Sequence, residues 1–152
     1  MNFYLKTMRL SNIELNRSDE VSVKDHLNKC DVYFKPKLSS YVDIDMYSKK
    51  LIKSANRLEV WDGSYLIALL AYYKKEDKIY ISNLSVDYNY FGNSIGFNLL
   101  TYLIGKYKKM NILNISLEVF KENKKALKFY KLNDFYIINQ DDNKFLLNYD
   151  YV

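Results

Sequence analysis

Val86-Asp87-Tyr88-Asn89-Tyr90-Phe91-Gly92-Asn93-Ser94-Ile95-Gly96-Phe97-Asn98-Leu99-Leu100 decides how the rest of this chain is read. The run before it, Ile79 to Val86, is rich in β-formers and predicts a strand. After it, Ile95, Leu99, Leu100, Leu103, Ile104 and Tyr107 recur at helical spacing, which predicts a helix from Ser94 or Ile95. A strand therefore feeds a loop holding two of the chain's four glycines, and the loop feeds a helix. Unpaired N–H groups and the dipole at such a helix start attract an anion. Glycine lets the anion approach the backbone and permits positive φ. An ordinary strand-to-helix connection has the same pattern, so taken alone the stretch leaves both readings open.

Working outward, 152 residues set an expectation of one domain, spanning 1–152, with room for a proper core. No apolar run reaches the length of a membrane span. Met1 to Lys6 lacks the apolar region of a leader peptide. Cys30 is the single cysteine, which excludes an internal disulfide and suits a reducing cytoplasm. The net charge of +5 is compatible with an anionic ligand, but the lysines are scattered rather than blocked, which argues against nucleic acid. No metal-ligand cluster is legible. Sixteen tyrosines reflect a compositional bias and weaken any single tyrosine as a signal.

Residues 1–18 give no clear periodicity. Ser18 or Asp19 is expected to cap a helix through Val21, Val23, Leu27 and Cys30. His26, within it, reads as a surface or half-buried residue, and Cys30 has no recognisable base beside it. Asp31 to Ser40 reads as a loop broken at Pro36. Its aromatics Tyr33 and Phe34, with Tyr41, either anchor the loop to the core or line a pocket, and anchoring is favoured. Asp43 or Asp45 caps a second helix through Tyr47, Leu51 and Ile52. Arg57 to Trp61 and Tyr65 to Tyr73 form a hairpin about Asp62-Gly63, with Leu66 to Ala71 buried on both faces. Ile79 to Val86 adds a third antiparallel strand. After the helix, Ile112 to Val119 is a strand parallel to it, because a helix intervenes. Glu122-Asn123 opens a further helix with core positions Ala126, Leu127, Phe129 and Tyr130. Phe135 to Ile138 and Phe145 to Tyr151 close the order.

With these elements in this order, the chain resembles the GNAT superfamily of acetyl-CoA-dependent N-acetyltransferases over most of its length. Val86 to Leu100 looks like the family's pyrophosphate loop. Leu117-Glu118-Val119-Phe120-Lys121-Glu122-Asn123-Lys124-Lys125-Ala126-Leu127-Lys128-Phe129-Tyr130 looks like its second signature, a strand end, then Asn, Ala three later, and Tyr seven after the Asn. Phe135-Tyr136 stands where the family has Gly-Phe. Phe34 to Ser39 followed by Tyr47 to Lys50 looks like a bacterial subgroup of the family. Three departures stand out: Phe91 at the usual Arg or Gln, Ser94 at the usual Gly, and Asp134 at the usual Gly. Phe91 has no side-chain hydrogen bond to offer a phosphate, whereas Ser94 keeps an N–H and a hydroxyl.

The resemblance implies an α/β fold, with helices on both faces of a mixed, mostly antiparallel, twisted sheet of six to seven strands. It implies acyl transfer from acetyl-CoA or another acyl-CoA to a primary amine, through a tetrahedral oxyanion, with no metal. A neutral amine attacks the thioester, its proton is accepted, and the sulfur is protonated as it leaves. The implied acyl-CoA contacts are Leu84, Ser85, Val86, Phe91, Gly92, Asn93, Ser94, Ile95, Gly96, Phe97, Asn123, Ala126, Phe129 and Tyr130. Tyr130 matches the tyrosine that protonates or stabilises the leaving thiolate. Asn123 serves as a helix cap beside the cofactor, and Lys124, Lys125 and Lys128 either meet phosphates or form a solvated face. Phe34, Tyr41 and Asn83 are candidates for the acceptor side. No general base is evident: many relatives carry a glutamate where this chain has Ser82 and Asn83, Glu118 is a candidate that strand alternation puts opposite Leu117 and Val119 and so favours as structural, and Glu59 or a held water stay open. The alternatives are a degenerate GNAT-fold acyl-CoA-binding or interaction module and, less favoured, a nucleic-acid-binding domain. The chain is expected to act as a monomer or homodimer.

Overall fold

The computed structural model describes residues 12–151; the leader reading of Met1 to Lys6 falls outside them. Seven strands form one sheet in the order β1-β2-β3-β4-β5-β7-β6. The strands are β1 (Glu14–Leu15), β2 (Asn56–Asp62), β3 (Tyr65–Lys75), β4 (Lys78–Val86), β5 (Asn114–Phe120), β6 (Tyr136–Gln140) and β7 (Lys144–Asp150). The helices are α1 (Glu20–Cys30), α2 (Ile44–Ser54), α3 (Ile95–Tyr107) and α4 (Lys124–Leu132). Only β4 and β5 pair in parallel, as the intervening α3 requires. The expected mixed sheet with helices on both faces is the one observed.

Local chemistry accounts for the helix starts. Asp19 accepts from Ser22 N and Ser22 reaches back to Asp19 N, so the pair closes a capping box at α1. Asp43, not Asp45, caps α2 through Met46 N. Asn123 caps α4 through Ala126 N at 3.1 Å. α3 and α4 pack on one face of the sheet with Ile79, Ile81, Leu117 and Leu147, whereas α1 and α2 pack on the other with Leu66, Leu69 and Ala71. Leu66 to Ala71 of β3 is buried on both faces as expected, a central strand sandwiched between helix layers.

Several expectations are corrected. Val21 is exposed, because the buried stripe of α1 is Val23, His26, Leu27 and Cys30. His26 is therefore a core residue. Ser18 does not cap α1; its N–H and hydroxyl both bond the Glu59 carboxylate. Tyr33 and Tyr41 are half exposed and face clefts rather than anchoring their loop in the core.

β4 carries the feature on which the site depends. Its register with β3 slips between Ala71, opposite Asn83, and Tyr72, opposite Ile81, so Ser82 is an inserted bulge residue. The bulge inverts the alternation of faces. Ile79 and Ile81 pack with α3 and α4, and so do Leu84 and Val86, leaving Asn83 and Ser85 turned toward α1. Pairing of β4 with β5 ends at Ile81 and Leu117, immediately before the bulge. β4 nevertheless stays on β3 as far as Val86, and β5 stays on β7 as far as Phe120. The two parallel strands thus part at their C-terminal ends.

Candidate active site

Two clefts open where the strands part. The first, about 490 Å³, runs along Leu84, Ser85 and Val86 to the loop before α3. Every residue expected to contact acyl-CoA, from Leu84–Val86 through Phe91–Phe97 to Asn123, Ala126, Phe129 and Tyr130, lines it. The second, about 250 Å³, lies on the other side of the parting strands and is lined by Phe34, Tyr41 and Asn83, the candidates for the acceptor side. Phe34, Leu84, Asn123, Ala126 and Tyr130 line both, so the clefts meet across the gap between β4 and β5.

The first cleft ends on a cradle of backbone donors. The earliest intrahelical bond of α3 is Asn98 N to Ser94 O at 2.9 Å, so the N–H groups of Ile95, Gly96 and Phe97 precede the hydrogen-bond ladder. Gly92 at φ +84° and Ser94 at φ +57° turn the chain to bring those donors to one side. Ser94 adopts the left-handed region without a capping bond from its hydroxyl. Asn93 Nδ2 holds the turn by donating to Tyr90 O at 2.9 Å, while its Oδ1 is buried without a protein partner. The cradle suits an anionic group: its donors are backbone N–H groups, no acidic side chain among the described residues lines this cleft, and Gly92 and Gly96 leave room for a close approach.

Tyr130 is buried and lines both clefts, and burial holds its hydroxyl above the usual phenol pKa, so it stays protonated at neutral pH. Its ring is fixed edge-on against Phe129 and Phe135, with centroids 5.2 and 5.4 Å away.

A family model described as acetyltransferase (GNAT) family matches residues 22–135. The chain belongs to this family. No curated protein matches it by sequence. The GNAT chain is similar in structure to PaiA N-acetyltransferase from Thermoplasma acidophilum, solved in complex with coenzyme A (TM-score 0.73, 20% identity, covering 92% of this chain and 99% of that one). It is also similar to a GNAT acetyltransferase from Staphylococcus aureus (TM-score 0.72, 17% identity, 93% and 100% covered). A third is Naa50 from Arabidopsis thaliana, in complex with a bisubstrate analogue joining CoA to a peptide (TM-score 0.68, 21% identity, 91% and 98% covered). At these identities the likeness is one of fold.

Within this GNAT site the structure places two candidate carboxylates, Glu59 and Glu118, and shows a polar chain that the sequence does not. Glu59 lines neither cleft. It is fully buried and held by Ser18, Arg57 and Trp61, with Arg57 Nε 3.4 Å away, so it ties the start of α1 to β2 away from both clefts. Glu118, read as structural, is exposed and is the only carboxylate among the described residues lining the second cleft. It faces Lys144 Nζ at 3.7 Å and accepts from the Tyr80 hydroxyl at 3.4 Å. His26 Nε2 lies 2.8 Å from Ser85 Oγ, which donates to Asn83 Oδ1 at 2.7 Å. Cys30 Sγ sits 3.6 Å from the same imidazole nitrogen, so a base does stand beside it. Burial lowers His26 to about 4 and raises the Cys30 thiol to about 12, which keeps both neutral and leaves Cys30 inert as a nucleophile. Among the described residues no cluster of His, Cys, Asp or Glu could hold a metal, and no helix is long and apolar enough to cross a membrane.

Proposed function

We propose that this chain is an N-acetyltransferase that moves an acetyl or other acyl group from acyl-CoA to a primary amine. The parting of β4 and β5 after Ile81 and Leu117 carries this reading, because it opens one cleft to the α3 cradle and another beyond Tyr130. The backbone N–H groups from Gly92 to Phe97 bind the pyrophosphate, and the Leu84–Val86 edge, free of β5, hydrogen-bonds the pantetheine arm. The acyl carbonyl then lies in the gap, where strand N–H groups stabilise the tetrahedral oxyanion.

The amine enters through the second cleft, between Phe34, Tyr41 and Asn83. Glu118 or solvent takes one proton from the entering ammonium so that the neutral amine attacks; the second proton, lost from nitrogen in the tetrahedral intermediate, restores the Tyr130 hydroxyl once that hydroxyl has protonated the thiolate. The Tyr130 hydroxyl, on the wall shared by the two clefts, protonates the departing thiolate. The chemistry is set by alignment and dipoles, with no metal. The PaiA and Naa50 complexes support the CoA side of this reading by analogy of fold. Whether the acceptor is a small molecule or a protein amine is decided by the second cleft.

The experiment is thiol release from acetyl-CoA in the presence of a panel of amines, beside calorimetric titration with CoA. Turnover with any amine supports the enzyme. A second reading, a binding module without catalysis, is favoured by Phe91 lacking a phosphate donor and by Ser94 in a left-handed conformation. It predicts CoA binding with no thiol release across the panel.

A further inference from the structure

Among the described residues, three charged side chains line the second cleft: Glu118, Lys35 and Lys144. Lys144 Nζ faces the Glu118 carboxylate at 3.7 Å, so those two charges largely cancel. Lys35 is exposed, and its ammonium has no hydrogen bond, ion pair or ring contact among the described residues. The cleft therefore holds one positive charge without a counter-charge. Two parts of the chain supply its walls. The segment between α1 and α2 brings Phe34, Lys35 and Tyr41, whereas the end of β5 and the start of β7 bring Glu118, Phe120 and Lys144. Tyr41 meets Phe120 with ring centroids 4.9 Å apart, and Lys144 Nζ lies 4.8 Å from the Phe120 ring and 5.9 Å from that of Tyr41. The two walls are thus joined there. At about 250 Å³ the space falls below the usual range for drug-sized ligands, which suits a small acceptor.

We propose that the acceptor is a free amino acid with an apolar or aromatic side chain, its ammonium at Glu118 and its carboxylate at Lys35. The inference rests on the acyl-transfer reading given above and names an acceptor class for it. A polyamine would set its further cations against Lys35 and Lys144, a like-charge juxtaposition that suppresses binding. An amine without an anionic group leaves Lys35 unmatched and gains nothing from it. A carboxylate on the same molecule meets that charge, while Glu118 meets the ammonium before it gives up its proton. The rings of Phe34, Tyr41, Tyr80 and Phe120 offer apolar faces to the rest of the molecule. Lys35 is then a specificity-determining residue: it tells an amino acid from the amide or the decarboxylated amine of the same skeleton. A peptide N-terminus, whose first carboxyl is already an amide, falls on the disfavoured side.

Thiol release from acetyl-CoA by wild type, Lys35→Gln and Lys35→Glu tests this. The acceptors are phenylalanine, tyrosine and leucine, their carboxamides, the matching phenethylamine, tyramine and isoamylamine, and spermidine. Comparing variant with wild type on the same amine cancels differences in amine basicity. Lys35→Gln is expected to lower kcat/KM about fivefold on the three acids, the size of one exposed ion pair, and to do so through KM. It should leave the amides and the decarboxylated amines unchanged. Lys35→Glu should cost the acids more and favour spermidine, and added salt should shrink both effects. Because Lys35 is exposed, both variants should keep the wild-type melting temperature and CoA affinity. An equal loss on acids, amides and amines would assign Lys35 to loop structure and overturn the proposal. No loss on the acids would overturn it too, as would turnover confined to spermidine or to the amines without a carboxylate. Each of these leaves the acyl-transfer reading standing. No thiol release with any amine, from protein that binds CoA, would overturn the enzyme reading and the proposal with it.

Discussion

His26 Nε2 and Ser85 Oγ lie 2.8 Å apart, joining α1 to β4 across 59 positions of sequence. The bond continues through Ser85 to Asn83 Oδ1, so one buried polar chain reaches from the helix layer to the wall of the second cleft. Ser85 and Asn83 face α1 because the Ser82 bulge turns them there. A buried imidazole with a satisfied neighbour is tolerated in a core as long as it stays neutral.

That neutrality makes stability depend on pH. Burial depresses His26 from 6.5 to about 4, and this outweighs the opposing pull of the Leu66 carbonyl and of Asp87. Between those values the unfolded chain binds the proton and the folded chain does not, so stability falls as pH drops from about 6.5 toward 4. The full effect is about 3 kcal/mol. The lowered carboxyls of Asp19, Asp31, Asp45 and Asp141 lose their contribution only below their unfolded value of 3.8, outside this window. Urea unfolding of wild type at pH 7 and pH 4.5 should show the loss, and His26→Gln should show much less of it. Equal pH dependence in both proteins would assign the effect elsewhere.

Tyr130→Phe keeps the ring packing against Phe129 and Phe135 and removes only the hydroxyl. With an amine on which chemistry limits the rate, turnover should drop by roughly 10²-fold or more. CoA affinity and melting temperature should hold. Unchanged turnover would return Tyr130 to a packing role.

The order of elements was legible because hydrophobic periodicity, the Asp62-Gly63 turn and the Asn123 cap each mark their place locally. The parting of β4 from β5 leaves no local mark in the sequence; its physical cause, the bulge at Ser82, has no glycine or proline to announce it. That hidden slip also concealed which side Asn83 and Ser85 face. His26 carried a readable signal, its position three after Val23 and four before Cys30 on the apolar stripe, but a bond across 59 residues leaves no trace in a helix pattern. Glu59, between buried Leu58 and Val60, looked available only because its partners Ser18 and Arg57 are recognisable once the sheet edge is built. Strand alternation put Glu118 on the face opposite buried Leu117 and Val119, as observed, but alternation does not say that this face lines a cleft.

Glu118 should matter for the acceptor amine and not for CoA. It is the only carboxylate among the described residues lining the second cleft, which it shares with Lys35 and Lys144. Because it is exposed, its attraction for an ammonium is worth about 1 kcal/mol. Glu118→Gln is expected to raise the acceptor KM about fivefold, with kcat changed less and with the CoA constant unmoved. A fall in kcat with KM unchanged would instead identify Glu118 as the base.

Two of the departures from the family pattern, Ser94 and Asp134, place L-residues where the backbone is left-handed, at φ +57° and +69°. Asp134 closes α4 in a Schellman motif: Phe135 N bonds Tyr130 O at 3.1 Å, Asp134 N bonds Lys131 O at 3.2 Å, and the Phe135 ring meets Tyr130. An L-residue in this region costs about 1–2 kcal/mol, less for Asp than for Ser. Glycine removes that strain and returns part of it as unfolded-state entropy. Ser94 makes no capping bond, so Ser94→Gly forfeits nothing there. Each glycine variant should therefore gain about 0.5–1 kcal/mol, a rise of roughly 1–4 °C in melting temperature, with Ser94→Gly the larger. Gly92→Ala supplies the opposite sign: at φ +84° the new Cβ meets nothing within 4 Å, so its loss of about 1 kcal/mol or more is purely backbone strain. CoA affinity should survive Ser94→Gly, because the cradle is made of N–H groups that the substitution keeps. Stabilised protein with lost CoA binding would mean that the Ser94 hydroxyl itself holds the phosphate. No stabilisation at either position would mean that the left-handed turns at 94 and 134 carry no strain.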